Sequence, residues 1–505
     1  MKKIQSAIIL ALMIGLVILV TFWSGCDPKR KPNPIGGNKD TLGLKEGKIQ
    51  PKEVKGGKYP EIKPDLNRPL NDKDTPVKVP TGPVKGKMEP TSKLYKVKEL
   101  KPGPKGSGDA QAPLFFPTYN ELGDATAIAH TSFPEPSVAE NGQTIMTTGN
   151  FWMSLSEDGG TTFTTVNPTT IFPQDYGGFC CDQVLAYVPE HDLFVWLLQY
   201  GSSGGTNAIR IAVQNTQGVR NSNGTAWTYW DFTNTTFAAS GALDYNDMSF
   251  GNNYLYWTSS VGGGANRYVI RVPFKELVAR STVNFQFTGS TNAYWSHVTQ
   301  NGTNGVYWAG HVNNSTLLVY SMMDADGFYS WRNVSINSWP NNNISSIAAN
   351  GTDWLQDAFW KTYVRAAAIR GSSAYFAWNG SSGGGFPQPQ VQIAEINTNT
   401  FTLVNQMQIW NPDFAFAYPY FETNREGELG MIVAFGGGPY NASSGVGVWG
   451  DFVVYYPRLS NLSKNSYGHY HTARRSGSNQ MQWVGAGYTH QADGSVLPYY
   501  LRFTR

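Results

Sequence analysis

Three cysteines in 505 residues, one of them at position 26, are too few for a disulfide-built scaffold. Charge is scarce as well, at 15% of residues. Helical periodicity is almost absent; the stretch FKELVA (274–279) allows one or two turns, so a helical bundle is excluded. Residues 114–505 are short of positive charge, with 17 basic against 25 acidic side chains. A duplex-nucleic-acid binder needs its basic patch on the folded body, and that class is excluded too. H-E-x-x-H, P-loop and C-x-x-C motifs are missing, so the commonest zinc-protease, nucleotide-phosphate and dithiol signatures are absent. No cofactor is expected.

One apolar run is present, from Ala7 to Trp23, preceded by Lys2 and Lys3 and followed by Ser24-Gly25-Cys26. A cationic start, a short apolar stretch and small residues before a cut form the export-signal pattern. With a Cys at its end, the segment resembles the lipobox of bacterial lipoproteins. That resemblance implies acylation of Cys26 and an address in the bacterial cell envelope, periplasmic or surface-exposed. An uncleaved membrane helix is the alternative, and 17 residues lie at the short limit for spanning. The signal or anchor therefore occupies residues 1–26.

Residues 27–113 hold 14 prolines and 20 basic against 11 acidic residues, with Tyr59 and Tyr95 as their aromatics. Such a stretch cannot bury enough apolar surface of its own to offset the entropy of ordering, so a disordered Lys/Pro-rich tether is expected.

From Leu114 onward aromatics, β-branched residues, Gly, Asn, Ser and Thr take over. A strand, a polar turn and an aromatic-rich second strand recur as a couplet at 135–149, 182–201, 246–260, 296–311, 364–380, 418–437 and 469–487. The second strands after the first couplet carry Trp196, Trp257, Trp308, Trp378, Phe435 and Trp483, spaced 61, 51, 70, 57 and 48 residues apart. Third and fourth strands such as NAIRIAVQ and WTYWDF follow most couplets. Four antiparallel strands repeated radially make a β-propeller, which protects its strand edges by closing the ring. The expectation for 114–505 is an all-β, seven-bladed propeller, with six blades as the alternative. A segment between Leu114 and His130 should complete the last blade.

Ser156-Glu157-Asp158-Gly159-Gly160-Thr161-Thr162-Phe163 fits S-x-D-x-G-x-T-[FW]. This octapeptide resembles the Asp-box of the sialidase superfamily, with Ser156, Asp158, Gly160, Thr162 and Phe163 at the motif positions. The resemblance implies a propeller and a structural turn between the third and fourth strands of a blade. It also directs attention to the family's F/Y-R-I-P motif, for which the nearest string is Ile270-Arg271-Val272-Pro273, read here as a strand end with a packing proline.

His469-x-His471 would set two imidazoles on one face of a strand, but no third ligand is spaced for a metal, and no metal is expected. Cys180 and Cys181 are adjacent and could close as a vicinal disulfide; two reduced, buried thiols are the other reading. Residues entering the innermost strands should line the channel mouth: Glu135, Asp182, Asp247, His297, Arg365, Tyr420, His469 and His471. Their chemistry suits a sugar or uronic acid. Inner strands also carry polar residues that simply satisfy one another. The reading is a monomeric, exported binding propeller for an extracellular glycan or surface protein, held at the membrane by lipid or helix, without catalysis. The alternative is a carbohydrate-active enzyme, a sialidase-like exo-glycosidase or a polysaccharide lyase.

Overall fold

The computed structural model describes residues 40–56, 79–86, 88–91, 93–101, 114–122, 134–261, 266–342, 344–356, 362–465, 467–468 and 471–505. Cys26, the signal segment and His469 lie outside the described residues. The described residues form a β-propeller of seven sheets.

Each blade is a meander running from the channel outward. The second blade shows the pattern: Phe179–Val188 innermost, then Leu193–Ser203, Thr206–Gln214 and Ala226–Thr233. Its second strand, LFVWLLQYGSS, is buried over nine consecutive residues. Alternation is lost because a blade packs against neighbours on both faces, so both sides of the strand need apolar or satisfied side chains. The spaced aromatics fill these interfaces. Trp196 meets Phe172 and Trp227 at 5.5 and 5.3 Å between centroids, Trp308 stacks on Tyr320 at 5.2 Å, and Trp483 stacks on Phe503 at 5.3 Å. Truncating one such ring to Ala would cost roughly 3–5 kcal/mol.

The ring closes between the two ends of the body. Thr472–Arg475, Trp483–His490 and Val496–Thr504 are joined on the outside by Phe115–Glu121, with Leu501 opposite Tyr119. The fourth blade departs from regularity. Its expected first strand at 296–300 is not a regular strand; Thr299 still donates its N–H to Tyr307 O at 2.8 Å, ahead of the strand Gly305–Asn313.

The tether expectation is corrected for part of its length. Asp40–Gly43, Lys45–Ile49 and Lys52–Lys55 add outer strands to the fourth, third and second blades in turn, and Lys96–Glu99 adds a parallel one to the sixth. The propeller unit therefore begins at Asp40, not Leu114. The physical reason is that this strap needs no core of its own. It pairs backbone to backbone with edges that the blades already offer, and pins itself with few apolar anchors. Val54 and Tyr95 are the clearest; Tyr95 is fully buried against Phe416, Trp449 and Phe452. Composition registers a core, not a borrowed edge.

Candidate functional site

Because the meander repeats, the innermost strands all begin at one mouth of the channel, here the upper, and end at the lower. A backbone kink recurs where the chain enters the channel wall, ahead of the innermost strand in some blades and at a bulge within it in the third and sixth. Glu135, Tyr245, Trp295 and Tyr418 adopt φ between 48° and 53°, and Gly178 and Gly468 take φ of 79° and 100°. Left-handed backbone is costly for bulky residues and persists only where surroundings over-determine it. The kinks turn Tyr245 and Tyr418 in beside Arg365, whose guanidinium sits 5.1 and 5.4 Å from their rings.

The structure brings five of the expected residues together. Tyr420 Oη donates to Asp247 Oδ1 at 3.3 Å, and Asp247 Oδ2 lies 3.6 Å from His297 Nδ1. On its other side, His297 Nε2 is 3.2 Å from the Tyr245 hydroxyl. Burial, reinforced by Arg365, Arg267 and Arg474, holds the His297 imidazole well below its ordinary range, so it is neutral. Burial pushes the Asp247 carboxyl up against the opposing pull of Arg474. His471 is likewise buried and pushed down to about 3, beside Tyr467 and Tyr488. His297, Arg365, Tyr418, Tyr420 and His471 leave a space of only about 10 Å³ among them, room for about one water. Asp182, on the innermost strand of the second blade, is nearly buried and does not line that space.

Further down, the channel is crossed by side chains. Arg474 Nη1 donates to Gln300 Oε1 at 2.7 Å and to Met248 O at 3.1 Å, and its guanidinium covers the Tyr420 ring at 5.3 Å. Gln300 Nε2 donates to the same Met248 O at 3.1 Å. Four blades are thereby tied at the axis.

Below this crossing the innermost strands end around a cleft of about 350 Å³. Its walls come from five blades: the Tyr187–His191 turn, Phe250–Asn252, Gln300–Thr303, Glu422, and Arg475 with Gln480. Arg475 Nε donates to Thr423 O at 2.8 Å and Nη2 bonds Asn301 Oδ1. Glu422 is buried, and burial pushes its carboxyl up while Arg475 pulls it down. Sequence reading did not single out these residues. The available signal was the length and polarity of the couplet turns (PEHD, GNN, NGTN, TNREGE), but their convergence follows only once the ring is closed.

The other singled-out residues sit away from both mouths or within the wall. The Thr162 hydroxyl first, then Thr162 N–H, Ser156 Oγ and Thr161 N–H at 2.9, 2.8 and 3.0 Å, donate to Asp158 and hold its carboxyl down at about 2. Gly160, at φ 92°, donates to Ser156 Oγ at 2.9 Å, Thr162 Oγ1 donates to Asp158 Oδ2 at 2.6 Å, and Phe163 packs on Tyr500. This turn joins Met153–Ser156 to Thr164–Val166, the two outer strands of the first blade. Arg271 serves an interface between blades, donating to Gln286 and to Met323 O and covering Tyr254. Cys180 and Cys181 are joined as a disulfide at a bulge in the innermost strand of the second blade. Among the described residues no group of three His, Cys, Asp or Glu could hold a metal ion.

Fold and hub together define the class: a seven-bladed β-propeller with a side-chain-filled axis. No family model and no curated protein matches the chain. Among solved structures it is similar to AofleA of Arthrobotrys oligospora, 9% identical over 74% of this chain and 96% of that one, TM-score 0.37. A subtype N11 neuraminidase-like protein of A/flat-faced bat/Peru/033/2010 (H18N11) is 11% identical over 62% of this chain and 70% of that one, TM-score 0.31. A protein of unknown function from Dyadobacter fermentans is 10% identical over 74% and 94%, TM-score 0.35. Likenesses this distant say nothing of ligand or activity.

Proposed function

We propose that this chain is a binding propeller of the bacterial cell envelope, anchored through Cys26 or an uncleaved helix, that captures an extracellular glycan or surface protein at a channel mouth without turning it over. The 156–163 turn is read as a sialidase-type Asp-box, a support for the first blade and not a ligand contact. The observation that carries the reading is the division of labour at the hub. The imidazole, phenol and carboxyl side chains that could act as acid and base are spent on one another around about 10 Å³, while the cleft of about 350 Å³ lies at the other mouth.

One observation favours a second reading, that of a carbohydrate-active enzyme. Asp247, His297 and Tyr420 are perturbed titratable groups in direct contact, the usual mark of an acid–base site. The experiment is to incubate the full chain with a polysaccharide panel and follow reducing ends, unsaturated-uronate absorbance and binding. Binding without turnover is the expected result. Turnover that disappears in Tyr420→Phe and His471→Ala would overturn the binding reading and establish the second.

A further inference from the structure

Resting on that binding reading, we infer that the lower-mouth cleft is a site for a neutral saccharide, held through vicinal hydroxyls between the Glu422 carboxylate and the Arg475 guanidinium. The size fits first: about 350 Å³ falls within the usual range of ligand pockets, roughly 300–1,000 Å³. The chemistry of the walls then narrows the class. Glu422 Oε1 takes the Thr423 N–H at 2.9 Å, and its Oε2 makes no hydrogen bond among the described residues. Arg475 commits Nε and Nη2 to Thr423 and Asn301, and its Nη1 makes none among the described residues. Beside the exposed Glu190, the cleft thus offers one buried carboxylate as acceptor and one guanidinium as donor, with Asn252, Gln480 and Phe250 also in its walls.

Charge decides against the ionic alternatives. An anionic ligand drawn to Arg475 would meet the buried Glu422 and the exposed Glu190; a cationic one drawn to the carboxylates would meet Arg475. A hydroxyl is donor and acceptor at once, so a pair of adjacent hydroxyls satisfies both side chains without bringing charge into a partly desolvated cleft. Leaving either group unpaired under a bound ring would cost affinity, which gives the site its discrimination. The bed is rigid. Arg475 links the seventh blade to the fourth through Asn301, whose Nδ2 reaches Ile369 O of the fifth at 3.4 Å.

The test uses the full chain and calorimetric titration with glucose-, galactose- and mannose-type disaccharides and tetrasaccharides, alongside the matching oligouronates. Binding of a neutral sugar is expected. It should weaken by about tenfold or more in Glu422→Gln, equivalent to about 1.4 kcal/mol. Because Arg475 also ties the seventh blade to the sixth and fourth through Thr423 and Asn301, Asn252→Ala and Gln480→Ala provide variants that leave those bonds intact; each should weaken binding severalfold at an unchanged melting temperature. Absence of neutral-sugar binding overturns the inference, as does neutral-sugar binding indifferent to all three variants. Binding of oligouronates alone, or of a surface protein alone, overturns the inference yet leaves the binding reading standing. Turnover at the upper mouth removes the binding reading itself.

Discussion

Ring closure depends on more than the outer strand Phe115–Glu121, and Glu140 is where that dependence can be measured. This residue lies in Ser137–Asn141, the innermost strand of the first blade, and its carboxylate is a latch onto the seventh. It accepts from Ser476 Oγ at 2.5 Å, Gly477 N–H at 3.1 Å, Ser478 Oγ at 2.6 Å and Arg502 Nη2 at 3.0 Å, and also from Gly142 N–H. The Glu140 side chain is 0% exposed and that of Arg502 18%, so solvent can replace little of what is lost. Glu140→Ala would strand a guanidinium, two hydroxyls and two amides. Breaking a buried ion pair from one side costs about 3–5 kcal/mol, and that is the expected loss. Unfolding entropy of roughly 2.1 cal/mol/K per residue makes this a fall of only about 3–5 °C in Tm, so denaturant titration followed by tryptophan fluorescence is the better assay. Glu140→Gln should cost less, and Glu157→Ala on the exposed turn should stay within about 0.5 kcal/mol. A double-mutant cycle with Arg502→Ala should return a coupling above about 0.5 kcal/mol. A loss below about 1 kcal/mol in Glu140→Ala would refute the latch and the energetic reasoning behind it.

Other consequences are equally open to measurement. A Cβ on Gly47 would fall 2.2 Å from the buried Phe285 ring, so Gly47→Ala should lift the strap from the third blade. Amide exchange over Val283–Phe287 should then accelerate, and unchanged protection would contradict the strap's role. His311, His471 and His490 are each pushed down to about 3 by burial, so unfolding is favoured as the pH drops below about 6.5, where only the unfolded chain takes up these protons. The Asp247 and Glu422 carboxyls, pushed up by burial, act in the opposite sense. Comparing His311→Leu with the parent isolates one imidazole: its stability should fall less steeply between pH 6.5 and 4, and parallel curves would contradict the assignment. Alkylation under native conditions should leave Cys180 and Cys181 unlabelled until a reductant is added.

How far the sequence reaches depends on what kind of interaction holds each part. The blades are legible because their signal is local: a polar turn between two apolar strands, with one ring such as Trp257 or Trp378 placed to fill the gap between sheets. The completing strand near residue 115 is legible because a closed ring leaves its last sheet one strand short. The strap at 40–55 is not legible from composition, since Lys and Gly residues there contribute backbone bonds to edges already built. At the hub, sequence order alone gathers Asp247, His297, Arg365, Tyr420 and His471, but not the bulk with which they fill the space between them. The kinks at Tyr245 and Tyr418 have no sequence signature, because neither residue type favours positive φ. The lower cleft is further from view still. Arg475 and Asn301 are 174 positions apart, and only the curvature of the wheel sets them in contact.

The most direct trial of the account is a crystal of the protein soaked with the tightest-binding neutral oligosaccharide. Sugar density between Glu422 and Arg475, with the side chains around Arg365 and His471 undisturbed, is the predicted result. Density seated among Asp247, His297 and Tyr420 would contradict it.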